Sequence, residues 1–126
     1  MSHRIAQPLL VLAAVAITGL GTVPLAAADP PKQAHASAAT DRVKGREFRF
    51  TLTTKSAARP GTVTFTFTNV GSIAHDFSIA GKTTPLVQPG HTAKLVVRFR
   101  KTGRFSYLCT VPGHAAAGMR GVFTVR

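Results

Sequence analysis

Apolar and polar residues alternate with a period of two through most of the chain after residue 45, which restricts that region to β structure. Val63, Phe65 and Phe67, for example, are interleaved with threonines. Successive side chains of a β-strand point to opposite faces, so this alternation predicts strands with one buried and one solvated face. Further stretches with the same pattern are Phe48, Phe50 and Leu52; Leu95, Val97 and Phe99; Phe105, Tyr107 and Cys109; and residues 122–125.

Turn-forming residues separate these stretches. They occur at Pro60–Gly61, Asn69–Gly71, Gly81, Pro89–Gly90 and Gly103. Short strands at this spacing predict an all-β sandwich or barrel of about seven strands. Outside the N-terminal segment no helical periodicity is present, and only the three alanines of residues 115–117 could form a turn of helix. A core built from about 80 residues is near the lower size limit of an independent domain, so we expect a single small domain.

The N-terminal segment has the composition of a targeting sequence. A short basic start, Met1–Arg4, precedes an apolar run over residues 8–25 and a small-residue cleavage motif at Ala26–Ala28. This is the pattern of a secretory signal peptide, and an exported, periplasmic or cell-envelope protein follows from it. An uncleaved N-terminal anchor is the alternative, because the apolar run is nearly long enough to span a bilayer. The predicted divisions are a signal peptide over residues 1–28, a flexible linker over 29–44 and the folded domain over 45–126.

Three potential metal ligands follow one another near the C-terminus. Cys109 is the only cysteine of the chain, His114 lies five residues later and Met119 five residues after that. Pro112–Gly113 bends the chain between them, so one loop can present all three side chains to one ion. His75, at the start of another apparent strand, is well placed to add a second imidazole. Two histidines, one cysteine and a weak axial methionine form the ligand set of a blue-copper electron-transfer site.

Each of these residues also has an ordinary structural interpretation. An unpaired cysteine is most often a small buried hydrophobe. His75 could be a histidine at a strand end, and Met119 could be a core methionine. The joint spacing of Cys109, His114 and Met119 favours the ligand interpretation, because an unpaired cysteine in an exported protein needs an explanation.

The Cys-x4-His-x4-Met spacing around Val111–Pro112–Gly113 resembles the copper loop of the cupredoxins, the blue copper proteins, with the loop most like rusticyanin- and plastocyanin-like members. His75–Asp76–Phe77 is similar to the segment that supplies the first histidine of that family. The resemblance covers residues 45–126. It implies a Greek-key β-sandwich and one mononuclear type 1 copper held by His75, Cys109, His114 and Met119.

The resemblance also implies roles for neighbouring residues. Asp76 and Thr110 are expected to tie the two ligand segments together by hydrogen bonds, although ordinary solvation of Asp76 is the alternative. The ring edge of His114 is expected at the surface, where electrons pass. An apolar collar around it would then mark a docking surface. The collar residues are Val111, Pro112, Ala115, Ala116 and Ala117.

The positive charge of the chain bears on its partners. Lys and Arg number 16 against four Asp and Glu, which gives a formal charge of +12. We expect redox partners with acidic docking surfaces, or an anionic envelope surface, rather than nucleic acid. A simply solvated basic shell is the remaining alternative. The protein is expected to be a monomer.

The residue inventory argues against an enzyme. A binuclear copper site of the oxidase type needs two cysteines, and the chain has one. No Ser-His-Asp signature, paired-carboxylate motif or phosphate loop is present in the sequence. Two functions remain: a one-electron carrier that alternates between Cu(I) and Cu(II), and an exported protein that holds or delivers copper without transferring electrons.

Overall fold

Nine β-strands run through residues 38–126, the part of the chain that the computed structural model describes. The predicted signal peptide and residues 29–37 of the predicted linker lie outside the described residues. In the described part of the chain, no helix has the length and hydrophobicity needed to span a membrane. The strands are β1 (Ala39–Arg46), β2 (Arg49–Leu52), β3 (Ser56–Ala57), β4 (Gly61–Asn69), β5 (Ser78–Ile79), β6 (Lys82–Thr83), β7 (Thr92–Phe99), β8 (Gly103–Leu108) and β9 (Arg120–Val125).

The strands form two sheets that pack as a sandwich. One sheet has the order β2-β1-β4-β7 and the other has the order β3-β9-β8-β5-β6. Most neighbours are antiparallel, but β1 pairs with β4 and β3 pairs with β9 in parallel. The predicted all-β sandwich is confirmed, and the chain crosses between the sheets repeatedly, as Greek-key connections do. The predicted count of about seven strands falls short because β3, β5 and β6 have two residues each.

Aromatic rings fill the space between the sheets. Phe65 of β4 packs edge-on against Phe123 of β9, with the ring centroids 5.3 Å apart. Phe77 packs between Phe65 and Tyr107, so the segment after His75 is anchored in this core. The alternation predicted for β4 and β7 is confirmed, since Val63, Phe65 and Phe67 and Leu95, Val97 and Phe99 are all buried.

The folded domain begins earlier than the predicted boundary at residue 45. Residues 39–44, assigned to the linker, belong to β1, which runs parallel to β4 with Val43 opposite Phe67. Val43 is fully buried, and the buried carboxylate of Asp41 accepts hydrogen bonds from the backbone N–H and the hydroxyl of Thr54. The strand was missed because its inward positions are Asp41, Val43 and Gly45, which do not form an apolar series.

Phe48 does not share a core face with Phe50 and Leu52. Glu47 and Phe48 form the turn between β1 and β2, and 39% of Phe48 is exposed. Leu52 is buried and Phe50 packs against the core, so only these two residues share the buried face that was predicted for all three. The turn brings Phe48 to the end of the sandwich where the predicted metal ligands lie.

The outer face of the β2-β1-β4-β7 sheet is basic, and we call it the basic face. Its central strand, β4, presents only threonines outward. The other three strands of this sheet present exposed cations, and no acidic side chain occurs on this face in the described residues. The cations are Arg42, Lys44 and Arg46 of β1, Arg49 of β2, and Lys94 and Arg98 of β7.

Candidate metal centre

Two loops at one end of the sandwich bring His75, Cys109 and His114 together. His75 lies between β4 and β5, and the other two lie in the ligand loop, residues 109–119, between β8 and β9. The ring atoms His75 Nδ1 and His114 Nδ1 are 3.1 Å apart, and Cys109 Sγ is 3.5 Å from His114 Nδ1. The three donor atoms lie within 4.8 Å of one another, and all three residues are buried. The two chain segments therefore converge as the sequence predicted.

Backbone hydrogen bonds close the ligand loop on itself. The N–H of Cys109 donates to the carbonyl of Met119 at 3.0 Å, and the N–H of Met119 donates to the carbonyl of His114 at 3.0 Å. Gly113 adopts a positive φ of 83°, a conformation that few other residues accept, so the predicted bend is present. These bonds fix the spacing of the candidate ligands before any ion binds.

Met119 is fully buried next to this cluster. A Cβ atom added at Gly45 would lie 3.1 Å from the Met119 Cε and 2.5 Å from a ring carbon of Phe67. Glycine at position 45 therefore leaves the space that the Met119 methyl and the Phe67 ring share. The axial role of Met119 stays a prediction.

Asp76 and Thr110 connect the two ligand segments. The Thr110 N–H donates to Asp76 Oδ1 at 2.6 Å, and the Thr110 hydroxyl donates to Asp76 Oδ2. Asp76 follows His75 directly and Thr110 follows Cys109, so these hydrogen bonds link the two ligand segments right next to His75 and Cys109. The expected hydrogen bonds between Asp76 and Thr110 are confirmed. The alternative, a solvated Asp76 side chain, is not found, because Asp76 is buried.

Asn69 organises the loop that leads to His75. Its buried side-chain amide donates to the carbonyls of Ile73 and Val87, both at 2.8 Å, and its oxygen accepts the N–H of Gly71. The backbone of His75 pairs with Val87 in an isolated β-bridge. These bonds hold the His75 backbone in place from both sides.

Glu47, in the β1–β2 turn, faces the opposite edge of the His75 ring. Its Oε1 accepts the backbone N–H groups of Ser72 at 2.5 Å and Ile73 at 3.1 Å, and the Ser72 hydroxyl at 3.1 Å. The same oxygen lies 3.7 Å from His75 Nε2. Hydrogen bonds from its own backbone N–H and from Ser72 lower the pKa of Glu47 to about 2.

Burial sets the protonation states of the candidate ligands. It lowers the pKa of His75, and the neighbouring His114 adds to this effect, so His75 is neutral at neutral pH. Burial raises the pKa of the Cys109 thiol above its ordinary value of 9.0. Without an ion, the Cys109 thiol is therefore protonated at neutral pH, and a metal must displace that proton.

His114 is the candidate ligand nearest the surface, with 9% of the residue exposed. The Phe48 ring packs edge-on against it, with the centroids 5.1 Å apart and the planes at 74°. In the predicted collar, Pro112, Ala116 and Ala117 are exposed, whereas Val111 and Ala115 are partly buried. The surface next to His114 is therefore apolar, and Phe48 extends it.

The donor set fits copper. A thiolate and two imidazoles are soft or borderline ligands, and this combination is typical of a mononuclear copper site that transfers electrons. The His75 Nδ1 and His114 Nδ1 atoms face each other, so both rings can turn a lone pair towards one ion. His75 Nε2 is buried and has no hydrogen-bond partner among the described residues. This is unusual for a histidine that only packs in a core, because buried polar atoms are normally hydrogen bonded.

Three residues around the site were missed by the sequence analysis. Asn69 was treated as a turn residue, Phe48 as a core residue, and Glu47 was not singled out. Glu47 and Phe48 come from a turn more than 25 positions before His75. The rarity of acidic residues in the chain is the only sequence signal that singles out Glu47.

The sequence matches a family described as copper binding proteins, plastocyanin/azurin family, over residues 39–126. The start of the match coincides with β1 and supports the earlier domain boundary. Because the match covers well over half of the chain, it decides the family of the domain just described.

Two curated relatives share part of the sequence, and both are copper-resistant cuproproteins CopI. The protein from Rubrivivax gelatinosus is 32% identical over 100 residues, covering 62% of this chain and 60% of the relative. The protein from Pseudomonas aeruginosa is 46% identical over 41 residues, covering 32% and 23%. The chain thus spans about 60% of the length of the first relative and about a quarter of the second.

A solved structure shares the fold. Sodium-dithionite-reduced auracyanin from the photosynthetic bacterium Roseiflexus castenholzii aligns with a TM-score of 0.62 and 21% identity. The alignment covers 72% of this chain and 98% of auracyanin. At this identity the likeness concerns the arrangement of the strands.

Proposed function

The chain belongs to the plastocyanin/azurin family of copper-binding proteins, and on that premise we propose that it is an exported carrier of single electrons. Copper is its cofactor. In this proposal one copper ion lies between His75, Cys109 and His114, and Met119 is the axial ligand. When bound, the ion supplies a one-electron Cu(I)/Cu(II) couple.

The observation that carries the proposal is the convergence of one thiol and two imidazoles within 4.8 Å in a buried site. The tie between Asp76 and Thr110 and the closed backbone of the ligand loop hold these donors in place. A site whose donors are fixed in advance changes little when the charge of the ion changes. Small rearrangement favours fast electron exchange over the release of the ion.

His114 gives the site a short route to the surface. Its ring joins the buried cluster to an apolar surface formed by Phe48, Pro112, Ala116 and Ala117. Apolar patches of this kind support docking. We propose that redox partners dock here and that acidic groups on them are attracted by the excess of cations on this chain. An anionic envelope surface is a second candidate for that attraction.

The proposed location of the protein rests on its N-terminal sequence. The apolar run and cleavage motif before residue 29 support export to the periplasm or cell envelope. The proposed working form is a monomer. We assign no catalytic step to the copper site.

A second function is favoured by the relatives. Both curated relatives are named as copper-resistant cuproproteins, which supports a role in holding or delivering copper rather than in carrying electrons. A copper-delivery protein should give its ion to a metal-free acceptor, whereas a carrier should keep the ion and exchange electrons.

Copper titration of the purified protein tests the site. We expect one Cu(II) per chain and an intense visible absorption from thiolate-to-copper charge transfer. Cys109→Ser should bind copper weakly and stay nearly colourless, while His91→Ala, which changes an exposed histidine, should behave like the wild type. An equally coloured Cys109→Ser protein would remove Cys109 from the site.

Two measurements on the copper-loaded protein separate the functions. NMR line broadening in mixtures of the oxidised and reduced forms gives the rate of electron self-exchange. Incubation of the reduced form with a Cu(I) chelator of matched affinity gives the rate of copper loss. Fast exchange with slow loss supports the carrier, and the reverse result supports copper delivery.

A further inference from the structure

Resting on the proposed copper site, we propose that Glu47 is the carboxylate partner of His75. In this role Glu47 holds the His75 ring with its proton on Nε2 and its Nδ1 lone pair towards the metal, and its negative charge lowers the reduction potential of the bound copper. Glu47 is thus a positioning residue, since it acts through His75 and is not itself a ligand.

The first argument is the orientation of the ring. His75 Nδ1 points to the cluster, 3.1 Å from His114 Nδ1. Nε2 points away from the cluster and towards Glu47 Oε1 at 3.7 Å. A ring that binds a metal through Nδ1 must carry its proton on Nε2. The proton on Nε2 therefore points towards the carboxylate of Glu47.

The second argument is that the Nε2 atom lacks any other partner. His75 is fully buried, and Nε2 makes no hydrogen bond among the described residues. A buried polar hydrogen without a partner is costly. At 3.7 Å the carboxylate is slightly too far for a hydrogen bond, but its charge attracts the Nε2–H dipole of the neutral ring. Metal-binding histidines typically direct their second ring nitrogen at a carboxylate, a carbonyl or water.

The third argument is that Glu47 is fixed in this position. One oxygen, Oε1, accepts hydrogen bonds from the Ser72 N–H, the Ser72 hydroxyl and the Ile73 N–H. Gly71 leaves the space for it, because a Cβ at that position would clash with Oε1 of Glu47. These donors belong to the segment just before His75, so the carboxylate and the ring are held by the same stretch of backbone.

The charge of Glu47 gives the arrangement a functional consequence. The described residues include three acidic side chains, those of Asp41, Glu47 and Asp76, in a strongly basic chain. Asp76 uses both oxygens to bind Thr110, and Asp41 binds Thr54. Glu47 directs its charge at a ligand ring instead. A negative charge on the far side of an imidazole stabilises Cu(II) more than Cu(I).

The test is the substitution Glu47→Gln in the full chain. Glutamine has nearly the same shape, and its amide oxygen can still accept from Ser72 and Ile73, so only the charge is removed. We expect the visible absorption to remain. The affinity for Cu(II) should fall about tenfold relative to that for Cu(I). By voltammetry this corresponds to a rise in potential of about 59 mV.

A matched control separates this local effect from net charge. Thr102→Lys also changes the charge by one positive unit, at an exposed turn before β8. Residue 102 precedes Cys109 by seven positions of mostly extended chain, roughly 20 Å at about 3.3 Å per residue. We expect its potential to stay close to that of the wild type, because charges further apart than about 10 Å are largely screened at 0.1 M ionic strength.

The metal-free protein gives an independent measurement. Nitrogen NMR of the His75 ring should place the proton on Nε2 in the wild type, and Glu47→Gln should shift the tautomers towards Nδ1–H. A wild-type ring protonated on Nδ1 would overturn the inference. So would a Glu47→Gln potential equal to that of the wild type, which would leave Glu47 as a support of the 71–73 loop alone. A wild-type protein that forms no coloured copper complex would instead refute the proposed function.

Discussion

The thioether of Met119 is expected to tune the copper site rather than to hold the ion. Met119 is fully buried, and its backbone is hydrogen bonded to Cys109 and His114. Three strong ligands suffice for Cu(I), whereas Cu(II) gains more from a weak fourth donor. Met119→Leu keeps the volume and removes the donor, so the packing cost should stay below about 1.5 kcal/mol. The potential, measured by voltammetry, should rise.

Met119→Gln provides the opposite comparison. A harder oxygen donor favours Cu(II), so this variant should have a lower potential than the wild type. A tenfold change in the ratio of the two copper affinities corresponds to about 59 mV. If leucine leaves the potential unchanged or lowers it, Met119 is not the axial ligand.

Copper binding should depend on pH through Cys109. Burial raises the pKa of its thiol, so the metal-free protein binds a proton at this site that copper must displace. The apparent Cu(II) affinity should therefore increase with pH, by about tenfold per unit, until the raised pKa is passed. Because burial lowers the pKa of His75, its ring adds less to this slope than an ordinary histidine would. Competition titrations at pH 6, 7 and 8 would measure the slope, and a flat profile would contradict thiolate binding.

Among the elements of the fold, the tie between Asp76 and Thr110 joins the two segments that carry the ligands. Thr110→Val removes the hydroxyl that donates to Asp76 and keeps the backbone N–H bond. We expect a loss of about 1 kcal/mol in the free energy of unfolding of the metal-free protein, measured by urea denaturation.

Thr92→Val is the matched control for this prediction. The Thr92 hydroxyl bonds to that of Thr68, but both are exposed on neighbouring strands. Loss of such a bond should cost less than about 0.5 kcal/mol. If the two variants lose the same stability, the tie at the ligands has no special strength.

Strands whose inward residues are apolar were predictable from the sequence. β4, β7 and β8 follow the alternation because water is excluded from one face only. β1 was not predictable in this way. Its inward side chains include Asp41, which is satisfied by Thr54, a residue beyond the following strand, and Gly45, which leaves room for Phe67 and Met119. Both depend on contacts that form only in the folded sandwich.

The same distinction applies to the site. Cys109, His114 and Met119 were identified because their spacing lies within one loop, and His75 because it begins a segment similar to a known one. Glu47 and Phe48 meet the site only because β1 lies against β4 and the turn after β1 lies beside the loop before His75. Nothing in the local sequence of residues 46–49 indicates this proximity.

At the scale of the whole molecule, charge is expected to govern encounters. The chain carries +12 at neutral pH, and the basic face groups six of its exposed cations. Oxidation of the reduced protein by hexacyanoferrate(III), an anion that stands in for an acidic partner, should slow as salt is added. Charges are screened beyond about 10 Å at 0.1 M ionic strength. Stopped-flow kinetics between 10 mM and 500 mM salt would measure the effect.

A cationic oxidant is the control for this experiment. Its reaction should accelerate with salt, because screening weakens the repulsion. If both oxidants ignore ionic strength, the positive charge of the chain has no role in electron exchange, and a solvated basic shell is the better description.

Among the described residues the sandwich has four strand edges, and these edges bear on how the protein behaves at high concentration. An open strand edge offers unpaired N–H and C=O groups to another chain and can start aggregation. Here β3 and β6, the edges of one sheet, have two residues each, and β2, at one edge of the other, has four. The long edge strand β7 carries Lys94 and Arg98. Short edge strands and charged side chains on an edge both disfavour pairing with another chain, so we expect these edges to oppose strand-by-strand polymerisation in a crowded solution.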